Sequence, residues 1–304
     1  MEIESFKTLI LNIVASENVY ENELLSKHTS FKIGGPAKLL IEPTNIEELI
    51  KVVDKCRENN IRFFILGNGS NIIALDQGYD GVIIKISNKL SNVEFIGENV
   101  ICESGVLLST LSKMIVEKSL KGFEFASGIP GTLGGAIYMN AGAYDSEMKN
   151  VVENVTVIDE IGKVKVLSND EMKFEYRNSV VQKKGYIVLK VNIKLEKGIK
   201  SEIIEKINEL TIKRTTKQPL HLPSAGSTFK RPSGYYAGKL IDDAGLRGVK
   251  FRGAMISSLH SGFVVNVDNA TSYDVFTLID VVKKTVKDTF DVNLEREVRI
   301  LGKE

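Results

Sequence analysis

Apolar residues change their spacing several times along the chain, and each change marks an element. In TNIEELIKVVDKCREN (44–59), Leu49, Ile50, Val53 and Cys56 recur on one helical face. Thr44 with Glu47 reads as a capping box, so a helix is expected there. The apolar run RFFIL (62–66) predicts a strand, GNGSN (67–71) a turn, and GVIIKI (81–86) a second strand. Such alternation indicates α/β or α+β layers. Residues 106–119 return to near-helical spacing through Leu107, Leu111, Met114 and Ile115. From 151 to 195 the period drops to two. VENVTVID, GKVKVL and YIVLKVNIKL alternate apolar and polar residues, which predicts half-buried antiparallel strands. SEIIEKINELTIKRTTKQ (201–218) is helical again, with Ser201 as its expected N-cap. QPLHLPSAGSTFKRPSG (218–234), with three prolines and two glycines, reads as loop. A short helix ending near Gly245, a strand over 262–267, a long amphipathic helix over 272–289 and a closing strand at 297–301 follow. The composition breaks most visibly near Gly198, a candidate domain boundary.

Bulk properties narrow the function classes. A chain of 304 residues suggests two or three domains. Net charge is +1, with 43% hydrophobic and 26% charged residues, so no basic surface for nucleic acid is expected. No window approaches the ~18 apolar residues of a membrane span. LILNIVA near the start is short and follows Glu2 and Glu4, unlike a secretory signal. Two cysteines, Cys56 and Cys102, form no CxxC, and His28, His221 and His260 show no metal-ligand spacing. These features point to a cytoplasmic protein with no metal and an organic cofactor.

SGIPGTLGGAIYMNAGAY (127–144) holds five glycines and no charged residue. Glycine loses much conformational freedom on folding, so such a cluster implies a geometric requirement. Either the turn is close-packed against the protein itself, or it lets N–H groups approach an anion. There is no GxxxxGK[ST], and no GxGxxG between a strand and a helix with an acidic residue about 20 positions on. A dinucleotide-binding Rossmann domain is therefore not expected. GNGSN and SGIPGTLGG remain as two turns able to donate amides to one pyrophosphate.

Six segments in order, HTSFKIGGPA (28–37), ILGNGSN (65–71), FASGIPGTLGGAIYMNAGAY (125–144), YRNS (176–179), PSAGSTFKRP (223–232) and LEREVRILG (294–302), closely resemble the UDP-N-acetylenolpyruvoylglucosamine reductase family. The resemblance runs from about residue 24 to 302. The short connection between YRNS and YIVLKV is similar to the shorter branch of the family, without its tyrosine-bearing insertion. It implies an α+β protein with the FAD-binding fold of the vanillyl-alcohol oxidase type, two α+β subdomains, plus a smaller α+β substrate-binding domain. The implied division is residues 1–78 (with 298–304 returning to them), 79–198 and 199–297. It further implies NADPH-dependent reduction of UDP-N-acetylglucosamine enolpyruvate to UDP-N-acetylmuramate in peptidoglycan synthesis. A monomer is expected.

By the same resemblance, FAD lies against Gly67, Asn68, Gly69, Ser70 and Asn71 on one side. Gly128, Ile129, Pro130, Gly131, Gly134, Gly135, Asn140 and Gly142 form the other. The two glycine-rich turns hold no histidine, so noncovalent FAD is expected. The family's catalytic residues match Arg177, Ser227 and Glu297. Arg177 would clamp the substrate carboxylate, Ser227 would protonate C2 after hydride reaches the vinyl carbon, and Glu297 would donate to the enol. Without the resemblance, these three read as a strand-end arginine, a loop serine bonded to backbone, and a carboxylate paired with Arg296 or Arg299. Tyr176, Lys230, Arg231 and His260 are candidate substrate contacts, although Leu259 stands where relatives often carry lysine before the histidine. Arg214 receives no role. The alternatives are an FAD-dependent sugar or lactone oxidase on the same fold, or a noncatalytic FAD-binding module.

Overall fold

The structure, a computed structural model, describes residues 2–302. The chain divides into two compact units. The first comprises residues 1–20, 39–68 and 83–214, and the second residues 21–38, 69–82 and 215–304.

In the first unit the alternating stretches form a five-stranded antiparallel sheet. Its strand order is Val164–Ser168, Val152–Ile158, Ile187–Lys194, Asn99–Glu103, Val93–Ile96. Val155, Val157, Val191, Ile193, Val100 and Cys102 turn inward. Onto them pack Leu108, Leu111 and Ile115 of the helix Leu108–Glu117 and Leu133 and Ile137 of the helix Leu133–Tyr138. Val164 and Val166 on the edge strand stay exposed, as a half-buried sheet allows. The helix Ile46–Glu58 buries Leu49, Val52, Val53 and Cys56.

The second unit has its own core. The three-stranded antiparallel sheet Lys250–Phe251, Ala254–Ile256, Val264–Asn266 is joined by Ala237–Asp243 and the long helix Ser272–Phe290. Ile256, Val264, Leu240, Val275, Leu278, Ile279 and Val282 are buried together. Arg299–Leu301 pairs in parallel with Ile72–Ala74, the strand that leaves GNGSN. Thr271 and Asp274 make a complete capping box on the long helix. The Asp76 carboxylate also accepts from Ser272 N at 3.0 Å, tying that helix to residues following the turn.

Helices and strands fall where the pattern placed them, and the α+β class holds. Two caps differ. The first helix is capped by Asn45, whose Oδ1 accepts from Glu48 N at 2.9 Å. Glu48, not Glu47, reaches back to Thr44 N at 2.7 Å. The motif is thus shifted by one residue, because Asn45 competes with Thr44 as the better cap. Ser201 lies inside the helix Lys200–Lys217 instead of capping it. Among the described residues no helix is long and apolar enough to cross a membrane. No group of three or more His, Cys, Asp or Glu among them could hold a metal ion.

Candidate active site

The glycine-rich stretch of the first unit is a turn followed by a short helix. Thr132 caps the helix Leu133–Tyr138 through Gly135 N at 3.4 Å. The turn is pinned to the sheet side by Leu108 N donating to Gly131 O (3.0 Å) and Gly134 N donating to Ser104 O (2.8 Å). GNGSN meets it within the same unit. Asn68 Nδ2 donates to Pro130 O at 2.6 Å, and a Cβ on Gly67 would stand 2.5 Å from Thr132 Oγ1. A Cβ on Gly134 would stand 2.9 Å from Ser104 Cβ. Gly67 and Gly134 are therefore required by protein packing. Gly135 differs. It is exposed, and a Cβ there would meet only its own capping oxygen at an ordinary 3.5 Å.

An exposed glycine in a helical turn costs stability with no packing return, which fits a flat group lying over that face. The backbone amides of Gly67, Asn68, Gly131 and Thr132 donate to no acceptor among the described residues. Unpaired amides on two touching turns suit a diphosphate. The residues present thus fit the FAD diphosphate expected from the sequence. Ile129 packs against the core cluster.

Asn140 is fully buried, with Nδ2 donating to Glu175 O (3.1 Å) and Oδ1 accepting from Lys149 N (3.0 Å). It fixes Glu175–Asn178 beside the helix end, helped by Ser179 Oγ donating to Tyr138 O at 2.9 Å. On that tight turn Arg177 adopts a left-handed backbone, φ 55°. This is an uncommon conformation for a side-chain-bearing residue and one that clusters at functional positions. Its Nη2 donates to Gly142 O at 3.2 Å, and its guanidinium lies 5.0 Å from the centre of the Tyr176 ring. Tyr176 itself is half exposed.

In the second unit, a backbone ladder carries the other candidates. Thr228 N donates to Gly262 O and Thr228 O accepts from Glu297 N, both at 2.9 Å. Lys230 N donates to Glu295 O at 2.9 Å, completing an antiparallel bridge between Phe229 and Arg296. The buried Thr228 hydroxyl accepts from Val264 N at 3.0 Å. Ser227 sits one residue before this ladder with its side chain exposed, while Glu297 is half-buried on the facing strand. Asn71 brackets Glu297: its Nδ2 donates to Glu297 O (3.3 Å) and its carbonyl accepts from Arg299 N (3.0 Å). The turn residue Gly69, φ 62°, lies so close to the His28 carbonyl that no Cβ fits.

Lys230 pairs with Glu295 at 3.1 Å, and the Arg231 guanidinium lies 3.9 Å from the Tyr236 ring centre. His260 is packed against Phe263 and Gly238, and its Nδ1 accepts from Gly262 N at 3.1 Å. Burial draws its pKa below the ordinary imidazole value. Cys56 and Cys102 are free and buried, and burial pushes their thiols up to about 12, far from reactive thiolates.

One residue without an assigned sequence role belongs in this description. Arg214 lies against Gly128: a Cβ there would be 3.0 Å from Arg214 Cδ and 3.6 Å from Nε. Its position on the helical face of Ile203 and Leu210 was the signal available in the sequence.

Residues 37–168 match an FAD binding domain, and residues 218–301 match the C-terminal domain of UDP-N-acetylenolpyruvoylglucosamine reductase. A UDP-N-acetylenolpyruvoylglucosamine reductase of Alkaliphilus oremlandii (strain OhILAs) is 52% identical over 303 residues, covering 100% of this chain and 99% of the relative. One from Caldanaerobacter subterraneus subsp. tengcongensis is 53% identical over 290 residues, covering 95% and 96%. The crystal structure of the Thermus caldophilus UDP-N-acetylenolpyruvylglucosamine reductase superposes with a TM-score of 0.80 at 34% identity, covering 92% of this chain and 97% of that one.

Proposed function

Because the chain belongs to the UDP-N-acetylenolpyruvoylglucosamine reductase family, we propose that Arg177, Ser227 and Glu297 carry its reaction. That reaction is the NADPH-dependent reduction of UDP-N-acetylglucosamine enolpyruvate to UDP-N-acetylmuramate, a step of peptidoglycan synthesis. The enzyme contains FAD and takes its electrons from NADPH. The chemistry FAD supplies is hydride transfer from NADPH to the terminal vinyl carbon of the substrate.

The chain's own residues handle charge and proton. As hydride adds to the vinyl carbon, negative charge spreads onto C2 and the carboxylate. Arg177, permanently charged and forked, binds that carboxylate through two parallel hydrogen bonds. Ser227 Oγ gives its proton to C2, an acceptor basic enough to take it from a hydroxyl. Glu297, in its protonated form, donates a hydrogen bond to the enol oxygen; removal of water around the carboxyl is the lever that favours that form. The observation that supports this assignment best is the Thr228–Glu297 ladder at 2.9 Å, which sets Ser227 and Glu297 on facing strands.

Around them, Tyr176, Lys230, Arg231 and His260 line the sugar nucleotide, with the two cations matched to its diphosphate. The FAD cradle comprises Gly67–Asn71 with Gly128–Gly131, Gly134, Gly135, Asn140 and Gly142. Residues 1–78 with 298–304, 79–198, and 199–297 act as the two cofactor-binding segments and the substrate-binding segment. The protein works as a monomer in the cytoplasm. With no second nucleotide-binding motif, NADPH and substrate take turns in one cleft, which gives ping-pong kinetics.

The decisive experiment is anaerobic. Purified protein should be yellow, bleach with NADPH, and recolour on adding the enolpyruvyl sugar nucleotide. Colour that returns only with oxygen would favour an oxidase, and a colourless protein that takes up no FAD would end the assignment.

A further inference from the structure

The helix Lys200–Lys217 is largely solvated, burying only Ile203 and Leu210. Arg214 follows Leu210 by one turn on that same face, so it is directed inward with them. Its neighbour Lys213 points elsewhere and pairs with Glu209, as does Lys206. Arg214 has no such arrangement: among the described residues no carboxylate pairs with it and no acceptor takes its hydrogen bonds. Its stem and Nε instead lie on Gly128, where any side chain would press into them. Burial depresses its pKa, partly offset by Tyr144, and arginine stays charged regardless. A partly desolvated cation without a counter-charge is costly, so the fold retains it for an anion that arrives later.

The position is built, not incidental. Tyr144 donates its phenol proton to Leu210 O at 3.0 Å, clamping the helix one turn before Arg214. Tyr144 and Asp145 both hold left-handed backbone, φ 53° and 63°, at the bend that brings the phenol there. Gly128 opens the same glycine-rich turn whose Gly131 and Thr132 amides are unpaired among the described residues.

We propose that Arg214 is a diphosphate ligand: its guanidinium completes, with the turn beginning at Gly128, a nucleotide-diphosphate site, and Tyr144 positions it. The proposal rests on the flavoenzyme assignment above and corrects the expectation that bare amides suffice. The shared chemistry is a nucleotide diphosphate, and FAD, NADPH and the UDP-sugar all carry one.

The test compares wild type with Arg214→Gln, Arg214→Lys and Tyr144→Phe holoenzymes. Flavin release into buffers of rising NaCl is followed by fluorescence, and KM is measured for NADPH and for the enolpyruvyl sugar nucleotide. Loss of a charged hydrogen bond should weaken one of the three ligands roughly 10- to 100-fold in R214Q. R214K should recover part of this, and Y144F should lose less than R214Q. Faster flavin release with both KM values unchanged assigns the site to FAD. Tight flavin with a raised KM for one nucleotide assigns it to that nucleotide instead. If R214Q fails to fold, R214K and Y144F still decide: no change in any ligand for both overturns the proposal, as does an unchanged R214Q. Wild-type protein unable to bind flavin would instead overturn the assignment beneath it, a separate outcome.

Discussion

The glycine-rich turn of the first unit and the serine loop of the second reach function by opposite means. Around Gly128–Gly135 the side chains have been stripped away and several backbone amides are left without protein partners. Around Ser227 the backbone is tied down at Thr228 and Lys230, and the side chain is what remains outside. The first site offers main chain to a ligand. The second uses main chain as scaffolding and offers a hydroxyl. A residue's chemistry is therefore visible in composition only where the backbone itself is the reagent; elsewhere it hides in an ordinary residue type.

The sharpest way to break this contrast is Ser227→Ala. Positioned proton transfer contributes about 10²- to 10⁴-fold to rate. Turnover with the enolpyruvyl sugar nucleotide should fall by that order, while anaerobic flavin bleaching by NADPH proceeds at the wild-type rate. The ladder through Thr228 should leave the melting temperature almost unchanged. If both half-reactions survive, the serine is scaffolding too.

Two glycines of the first unit separate packing from binding. Gly67→Ala places a methyl 2.5 Å from Thr132 Oγ1, so the turn must shift. Overpacking of this kind costs about 1–3 kcal/mol, read by chemical denaturation of the flavin-free protein. Gly135→Ala meets only ordinary contact and keeps its helical backbone. It should stabilise the flavin-free protein by up to about 1 kcal/mol, since alanine favours the helix. The same substitution should loosen FAD, detected as flavin lost on gel filtration. A Gly135→Ala protein that is more stable and holds flavin as tightly as wild type would show that nothing lies over that face.

The fold was largely legible because its apolar periods are clean: the shift to period two at 151–195 is the five-stranded sheet, and the 272–289 stripe is the long helix. Helix ends were less so, since Thr44, Asn45, Glu47 and Glu48 offer two overlapping capping boxes and only tertiary placement chooses between them. Arg214 was not legible. Its charge sits in a run of lysines on a solvated helix, and its distinction is the missing partner, which no local pattern encodes. Asn140 gave the reverse difficulty: within a glycine-rich loop it reads as a ligand contact, yet both ends of its amide hold Glu175 and Lys149 in place.

The smallest effect concerns the second unit's scaffolding. His260 accepts from Gly262 N through Nδ1, and Gly262 O in turn accepts from Thr228 N, so the ring must be neutral to hold the ladder's far side. Burial lowers its pKa below the ordinary 6.5. The unfolded chain thus takes up the proton first as pH falls, so the histidine's contribution is complete above about 6.5 and is lost as pH drops through the folded value. Thermal melts between pH 8 and 5 should show wild type losing stability more steeply below 6.5 than His260→Asn, whose amide oxygen can accept the same hydrogen bond without titrating. Parallel curves would mean that the imidazole is solvated and the serine loop is held without it, leaving the Thr228–Glu297 pairing to act alone.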